Sequence, residues 1–241
     1  MDAGTRDDGP IGGEIADDRA LATQVAVAFL ANLPYLYDPV AGVLAATAAP
    51  IVMAIANVTA VKKLGRRRAE HAADTLLDAA EAAATPLSDF LDNAVADDHR
   101  QELLARALGI AQDTALRAKR RALGRALANG VIGDEARISE ELLFMRAVED
   151  INEMHIRLLG RLADPPGARW GTERITGADP GLEPGLPALL RTLEVHGLVR
   201  SHMSVPPGGA VRSLDPDYSI TSLGQQLLGR LADDSPEPSG S

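Results

Sequence analysis

The longest feature of the hydrophobic pattern is a gap in polarity. Between residues 20 and 61 the only charged side chain is Asp38, which divides the stretch into residues 20–37 and 39–61. Each half is long enough to be weighed as a membrane span. Gln24, Asn32, Thr47, Asn57 and Thr59, the prolines at 34 and 50, and many alanines dilute that signal. A pair of buried helices at the centre of a helical bundle also fits, with Val40, Leu44, Ile51, Ile55 and Val58 on one stripe. Periodicity does not separate these two buried fates. Past this point the helical spacing becomes explicit. Ala72, Leu76, Leu77, Ala80 and Ala83 recur against Asp74, Asp78 and Glu81, which predicts an amphipathic helix over residues 69–84. Thr85-Pro86 stops it, because the residue before proline is pushed out of the α region. After a short segment over 87–95, Asp97 or Asp98 is placed to cap a long helix. That helix carries Leu103, Leu104, Leu108, Ala111, Leu116, Leu123 and Leu127 and is expected to end at Asn129-Gly130. Residues 138–148 read as a further helix anchored by Leu142, Leu143 and Met145. Asp150-Ile151-Asn152 interrupts the pattern, and Asn152 is an N-cap with Ile151 and Ile156 in the positions of a hydrophobic staple. The helix so started should run from about 153 to 163, where Pro165-Pro166 ends it.

From Asn152 onward the order of elements is informative. A helix is followed by a short polar stretch at 172–176 around Trp170, then by Leu186-Pro-Ala-Leu-Leu-Arg-Thr-Leu-Glu-Val-His-Gly-Leu-Val199. A Pro/Gly loop at Pro206-Pro-Gly-Gly209, a β-like Asp217-Tyr-Ser-Ile-Thr221 and a helix with Leu223, Leu227, Leu228 and Leu231 complete it. This order resembles a winged helix. The resemblance makes residues 189–199 the end of a third helix entering the wing, and residues 218–228 the returning strand and last helix. Gly197 then permits the tight exit, Leu198 and Tyr218 fill the core under the wing, and Thr221 or Ser222 caps the last helix. Trp170 reads as a packing lid on the same module. The fold class expected is therefore mainly α, a helical bundle over 19–148 followed by a winged-helix-like module with a small β-wing over 149–232. Acidic, Gly- and Pro-rich tails at 1–18 and 233–241 are too polar to offset their own ordering entropy.

Composition narrows the chemistry. In 241 residues there is no cysteine, which removes disulfides, thiolate zinc or iron–sulfur sites and a thiol nucleophile. Aromatic residues are only 3%, so the core is built from Ala, Leu, Val and Ile, volumes suited to close helix packing. A net charge of -10 argues against a chain that coats nucleic acid by bulk charge. The acidic start contradicts a secretory signal, so the expected location is cytoplasmic, with membrane association through 20–61 as the variant.

Two local basic clusters escape the average. Lys62, Lys63, Arg66, Arg67 and Arg68 follow the apolar stretch directly, either as a solvated helix end or as a contact for anionic lipid head groups. Arg117, Lys119, Arg120, Arg121 and Arg125 form a second cluster, read as a solvated face that balances the acidic helix at 69–84. In the winged-helix-like module the candidate contacts for DNA or another anion are Arg191, Arg200 and Arg212, a thin supply opposed by Glu194. His71, His99, His155, His196 and His202 are scattered without metal-ligand spacing and read as structural. Asp97/Asp98 and Glu140/Glu141 are adjacent pairs, which point in different directions on a helix and suit caps and solvation rather than acid/base work. Gly208-Gly209 lacks the flanks of a phosphate loop. No catalytic residue, cofactor or metal is expected, and the chain reads as a non-enzyme.

The run Lys119-Arg-Arg-Ala-Leu-Gly-Arg-Ala-Leu-Ala-Asn-Gly130 is followed by His155-Ile-Arg-Leu-Leu-Gly-Arg-Leu162. Gly197-Leu-Val and Tyr218-Ser-Ile-Thr-Ser-Leu-Gly224 come next. Together they are similar to the abortive-infection alpha type of bacterial domain. The similarity spans roughly residues 69–231 and rests on hydrophobic phrases; where the family often has Trp-Ala-x-Leu-Leu-Ala, this chain has Leu123-Gly-Arg-Ala-Leu-Ala128. The resemblance implies a defence-associated protein and carries over no functional residue. The expected function is a non-enzymatic interaction or regulatory protein linked to phage defence, acting through a protein partner or self-association. Two alternatives stand beside it: a winged-helix transcription regulator that binds DNA, and a membrane-inserting protein that uses the 20–61 hairpin.

Overall fold

The computed structural model describes residues 17–29, 58–203 and 216–232. It is mainly helical with one small antiparallel sheet near the C-terminus, the expected fold class of a helical bundle followed by a winged-helix-like module. The described residues divide into two compact units between Leu142 and Leu143.

In the first unit, residues 17–29 form helix α1, in which Ala22 and Ala26 are fully buried while Thr23, Gln24 and Val27 are exposed. The described part of the predicted hairpin, residues 20–29, is thus a one-sided surface helix rather than a central buried one. Residues 30–57, with most of the hairpin and its stripe, lie outside the described residues. Helix α2 (Val58–Ala83) starts well before the predicted 69. It buries Ala69, Ala72, Thr75, Leu76 and Ala79 along one side. Thr75 is accommodated there because its hydroxyl donates to the His71 carbonyl one turn back, 3.0 Å away. Ala84 follows in the left-handed region at φ 52, and the Thr85 N–H donates to the Ala80 carbonyl, which closes the helix end. Pro86 then opens α3 (Leu87–Ala94), whose Leu87 and Phe90 are buried.

The long helix predicted over 98–130 is two helices. Asp97 caps α4 (Asp98–Asp113) as expected, accepting from the Arg100 N–H at 2.9 Å. Thr114 and Leu116 are extended, and α5 (Arg117–Ile132) starts afresh. Arg120 stabilises the break by donating to the carbonyls of Thr114 and Ala115 at 3.2 and 3.1 Å. An uninterrupted helix over this stretch would be about 50 Å long. Folding it back lets both halves pack on α2. Asn129-Gly130 does not end α5 either. Gly130 sits under Leu103, where a Cβ would come within 2.2 Å of a leucine methyl. Asn129 donates from its side-chain amide to Glu141 at 3.2 Å.

Helix α6 (Glu135–Asp150) is started by Asp134, whose carboxylate accepts from the Arg137 N–H at 2.9 Å. Met145 is buried as predicted, but Leu143 is 63% exposed and Phe144 takes the buried position instead. Glu141, expected to be solvated, is fully buried and held by Arg137 at 2.9 Å and by Asn129.

The second unit repeats the predicted order. Asn152 caps α7 (Glu153–Ala163), and His155 returns the bond by accepting from the Asn152 N–H, a complete capping box. The short polar stretch at 172–176 is a short helix α8 (Thr172–Ala178) started by Gly171. A 3-10 helix (Pro180–Gly185) leads into α9 (Leu186–Val195). Gly197 at φ 66 turns the chain into β1 (Val199–His202), which pairs with β2 (Asp217–Ile220), Val199 opposite Ile220 and Ser201 opposite Tyr218. Trp170 is buried and exchanges both backbone hydrogen bonds with Tyr218 at 2.9 Å, adding a single-residue third edge to the sheet. Thr221 caps α10 (Ser222–Ala232) by accepting from the Gly224 N–H, and its hydroxyl donates to the Gly197 carbonyl at 2.7 Å.

Two substitutions test this packing. A Cβ at Gly124 would lie 2.9 Å from the Asp78 Cβ and 3.0 Å from the Thr75 carbonyl. Gly124→Val therefore lowers stability by about 3 kcal/mol by forcing α2 and α5 apart. Ala84→Gly raises it by about 1 kcal/mol by relieving the left-handed φ at an exposed position. Urea unfolding of both variants checks the pair; equal midpoints for wild type and Gly124→Val would contradict the close helix contact.

Candidate functional site

The surface with the best-defined geometry is built by α9 and β1. Leu186, Leu189, Leu190 and Leu193 turn inward and fix α9 on the core of its unit. The opposite side presents Pro187, Ala188, Arg191 and Val195, and Val195 is 72% exposed. Arg200 is exposed on β1, and Met203, just after the strand, is 70% exposed. Arg191 and Arg200 are thus both on the outer surface of the module, and Arg212 lies outside the described residues. These outer positions hold one cation on the helix and one on the strand, with apolar and small side chains and the half-exposed Thr192 and Glu194.

Its supports are polar and buried. Asp179, at the joint between α8 and the 3-10 helix, is 2% exposed and receives a two-pronged bond from Arg157 of α7 at 2.5 and 2.6 Å. Arg161, one turn on, approaches the same carboxylate at 3.8 Å. A fork of this kind sets the angle between the first helix and the turn that aims α9. At the other end of α9, His196 bonds Asp150 at 2.8 Å, and His202 bonds Ser219 across the strands at 2.8 Å. Arg174 stacks over Trp170, 4.1 Å from the ring centre, and Arg230 stacks over Phe144 at 4.3 Å. Sequence reasoning missed Asp179. Its burial depends on a partner twenty-two residues away.

The basic cluster of the first unit has a different character. Residues 64–68 are all exposed, Leu64 at 55%. Arg66 pairs with Glu70 and Arg68 with Asp113, both at 3.0 Å. Among the described residues no ion pair holds Arg67, while Lys62 and Lys63 are helical with side chains outside the described ones. The second cluster does meet the acidic helix. Arg117, Arg120 and Arg19 line a cleft of about 330 Å³ together with Asp74, Asp78 and Leu77, and Arg19 reaches Asp74 at 3.6 Å. Burial raises the Asp78 carboxyl above its ordinary 3.8, opposed by the positive charges of Arg121 and Arg117 and reinforced by Asp74 and Glu81. With both signs in its lining, the cleft spends its charge on itself. Among the described residues no group of three or more His, Asp or Glu gathers as a metal site.

The class of protein defined so far is a helical bundle with a winged-helix-like module. No family model, no curated protein and no solved structure matches the chain.

Arg157→Ala leaves a buried carboxylate with only the distant Arg161, and lowers stability by about 2–3 kcal/mol; thermal unfolding reads this, and an unchanged melting temperature would refute the assigned role of the fork. For Asp78 the sign is the reverse of a stabilising ion pair. A raised carboxyl is penalised when charged, so the penalty is absent below pH 3.8 and complete above the raised value. Asp78→Asn consequently gains stability relative to wild type as pH rises through that window towards neutrality, measurable by urea unfolding at a series of pH values.

Proposed function

We propose that the chain is a non-enzymatic interaction and regulatory protein whose winged-helix-like module engages a protein partner through the outer face of α9 and the end of β1. The observation that carries this reading is the exposure of Val195 on a helix face with a single arginine, together with that of Met203 just after β1. A helix that enters a DNA groove needs cations for phosphate and polar side chains for base edges. Here apolar atoms occupy those positions, and apolar surface rimmed by a few charges marks protein contacts. The resemblance to abortive-infection alpha domains supports a setting in phage defence.

A second reading, a DNA-binding regulator, rests on Arg191 and Arg200 both being exposed on the helix and strand that a winged helix would use. One set of measurements separates the two. A photo-crosslinking residue placed at Val195 or Met203 is expected to give a discrete adduct, and one at the exposed Gly177 none. The adduct's mass distinguishes a second copy of the chain from another protein. Fluorescence anisotropy with duplex DNA is expected to show no salt-steep binding. Absent adducts together with DNA binding that weakens steeply with salt and is lost in Arg191→Ala or Arg200→Ala would replace the first reading by the second.

A further inference from the structure

We infer that the N-terminal end of α2 is a docking surface for an anionic lipid bilayer. The five successive positions 64–68 are exposed, and at 100° per residue they cover more than one full turn; among the described residues the bundle meets this turn through the Arg68–Asp113 ion pair. Packing begins only at Ala69, which is 4% exposed. An exposed helical turn with Arg66, Arg67, Arg68 and a half-exposed Leu64 is preceded by Lys62 and Lys63 in the sequence. Five cations within two turns make this the densest positive stretch of the chain. Directly before it in the sequence, residues 39–61 carry no charged side chain at all. A basic collar at the end of an uncharged run is the arrangement in which ammonium and guanidinium groups meet phosphate head groups while neighbouring apolar side chains lie against the acyl boundary. No helix among the described residues is long and apolar enough to cross a membrane, so α2 meets the bilayer at its surface. The charge of the whole chain is -10, which repels an anionic surface. Only a local patch within a Debye length can overcome this, and such a patch also fixes which end of the bundle approaches.

The full chain is mixed with vesicles of phosphatidylcholine, with and without phosphatidylglycerol, and pelleted. Binding is expected only with phosphatidylglycerol and is expected to weaken as salt rises. The triple substitution Arg66→Gln, Arg67→Gln, Arg68→Gln is expected to lower it about tenfold, less than three fully free charges would give, since Arg66 and Arg68 already share theirs with Glu70 and Asp113. Because those two pairs also contribute to the fold, Arg67→Glu is the cleaner variant. It disturbs no ion pair among the described residues, and a severalfold loss of binding at an unchanged melting temperature is expected. Val195→Asp is expected to leave vesicle binding as it is, which keeps this result separate from the protein-contact reading. Equal pelleting with both vesicle types, no pelleting with either, undiminished pelleting of the arginine variants, or arginine-dependent retention of duplex DNA without vesicle binding would each overturn the inference.

Discussion

Gly124 lies so close to α2 that a single added carbon would touch the Thr75 carbonyl, and the first unit depends on that approach. A chain with few aromatic residues cannot fill wide gaps between helices, so its helices must come close and interlock through small side chains. Ala72, Thr75 and Ala79 on α2 meet this need, with Ala122 and Ala126 fully buried on α5. Close approach has a cost for any polar group caught in it. Thr75 satisfies its hydroxyl within its own helix, while Asp78, at the margin of the contact, is left with a penalised charge. The arginines of α5 are placed where they offset part of that penalty. The acidic face of α2 and the basic cluster at the start of α5 are therefore parts of one packing solution rather than two independent surfaces.

In the second unit the analogous constraint is polar. The module has short elements, and its small sheet cannot fix the angle of α9 alone. The Arg157–Asp179 fork does so by holding the α8 end of the turn against α7, and the Thr221 hydroxyl fastens the Gly197 exit to the start of α10. The helix face that these bonds aim outward carries the exposed Val195.

Where local signals decide structure, the sequence was a good guide. The Asp97 and Asn152 caps, the Pro86 stop, Gly197 and the strand phrase around Tyr218 all act over a few residues, and all were legible. The misreadings share a cause: each was settled by side-chain contacts that the hydrophobic pattern does not display, whether a few residues away or in another helix. The break at 114–116 contains no glycine or proline, and its extended backbone is held by Arg120 from the next helix. Gly130 looked like a helix end and is instead a space kept for Leu103. Glu141 looked solvated because its neighbour Glu140 is, yet a helix register that exposes one adjacent acid buries the other, and Asn129 and Arg137 were the hidden partners. Leu143, expected as an anchor, is exposed, and Phe144 is the buried residue at that point of the helix. Among the candidate contacts, the exposure of Arg191 follows from the leucine spacing of α9, whereas Asp179 left no local trace.

The distribution of cations argues for a division of labour. An anionic partner approaching this chain meets repulsion until it is within about 8–10 Å of a positive patch. On α9 and β1 the positive charge amounts to two arginines with Glu194 beside them, too little to hold a polyanion against the average field. At the start of α2 five cations crowd two turns of helix; among the described residues Glu70 pairs with Arg66 and Asp113 with Arg68, and no ion pair holds Arg67. Contact with a charged surface belongs to the end of the bundle on this reasoning. The winged-helix-like module, having exchanged cations for exposed apolar side chains, is suited to a partner that contributes apolar surface of its own. Burying Val195 and Met203 against such a partner would release about 1.5–3 kcal/mol for each side chain fully covered, a gain that phosphate oxygens cannot supply.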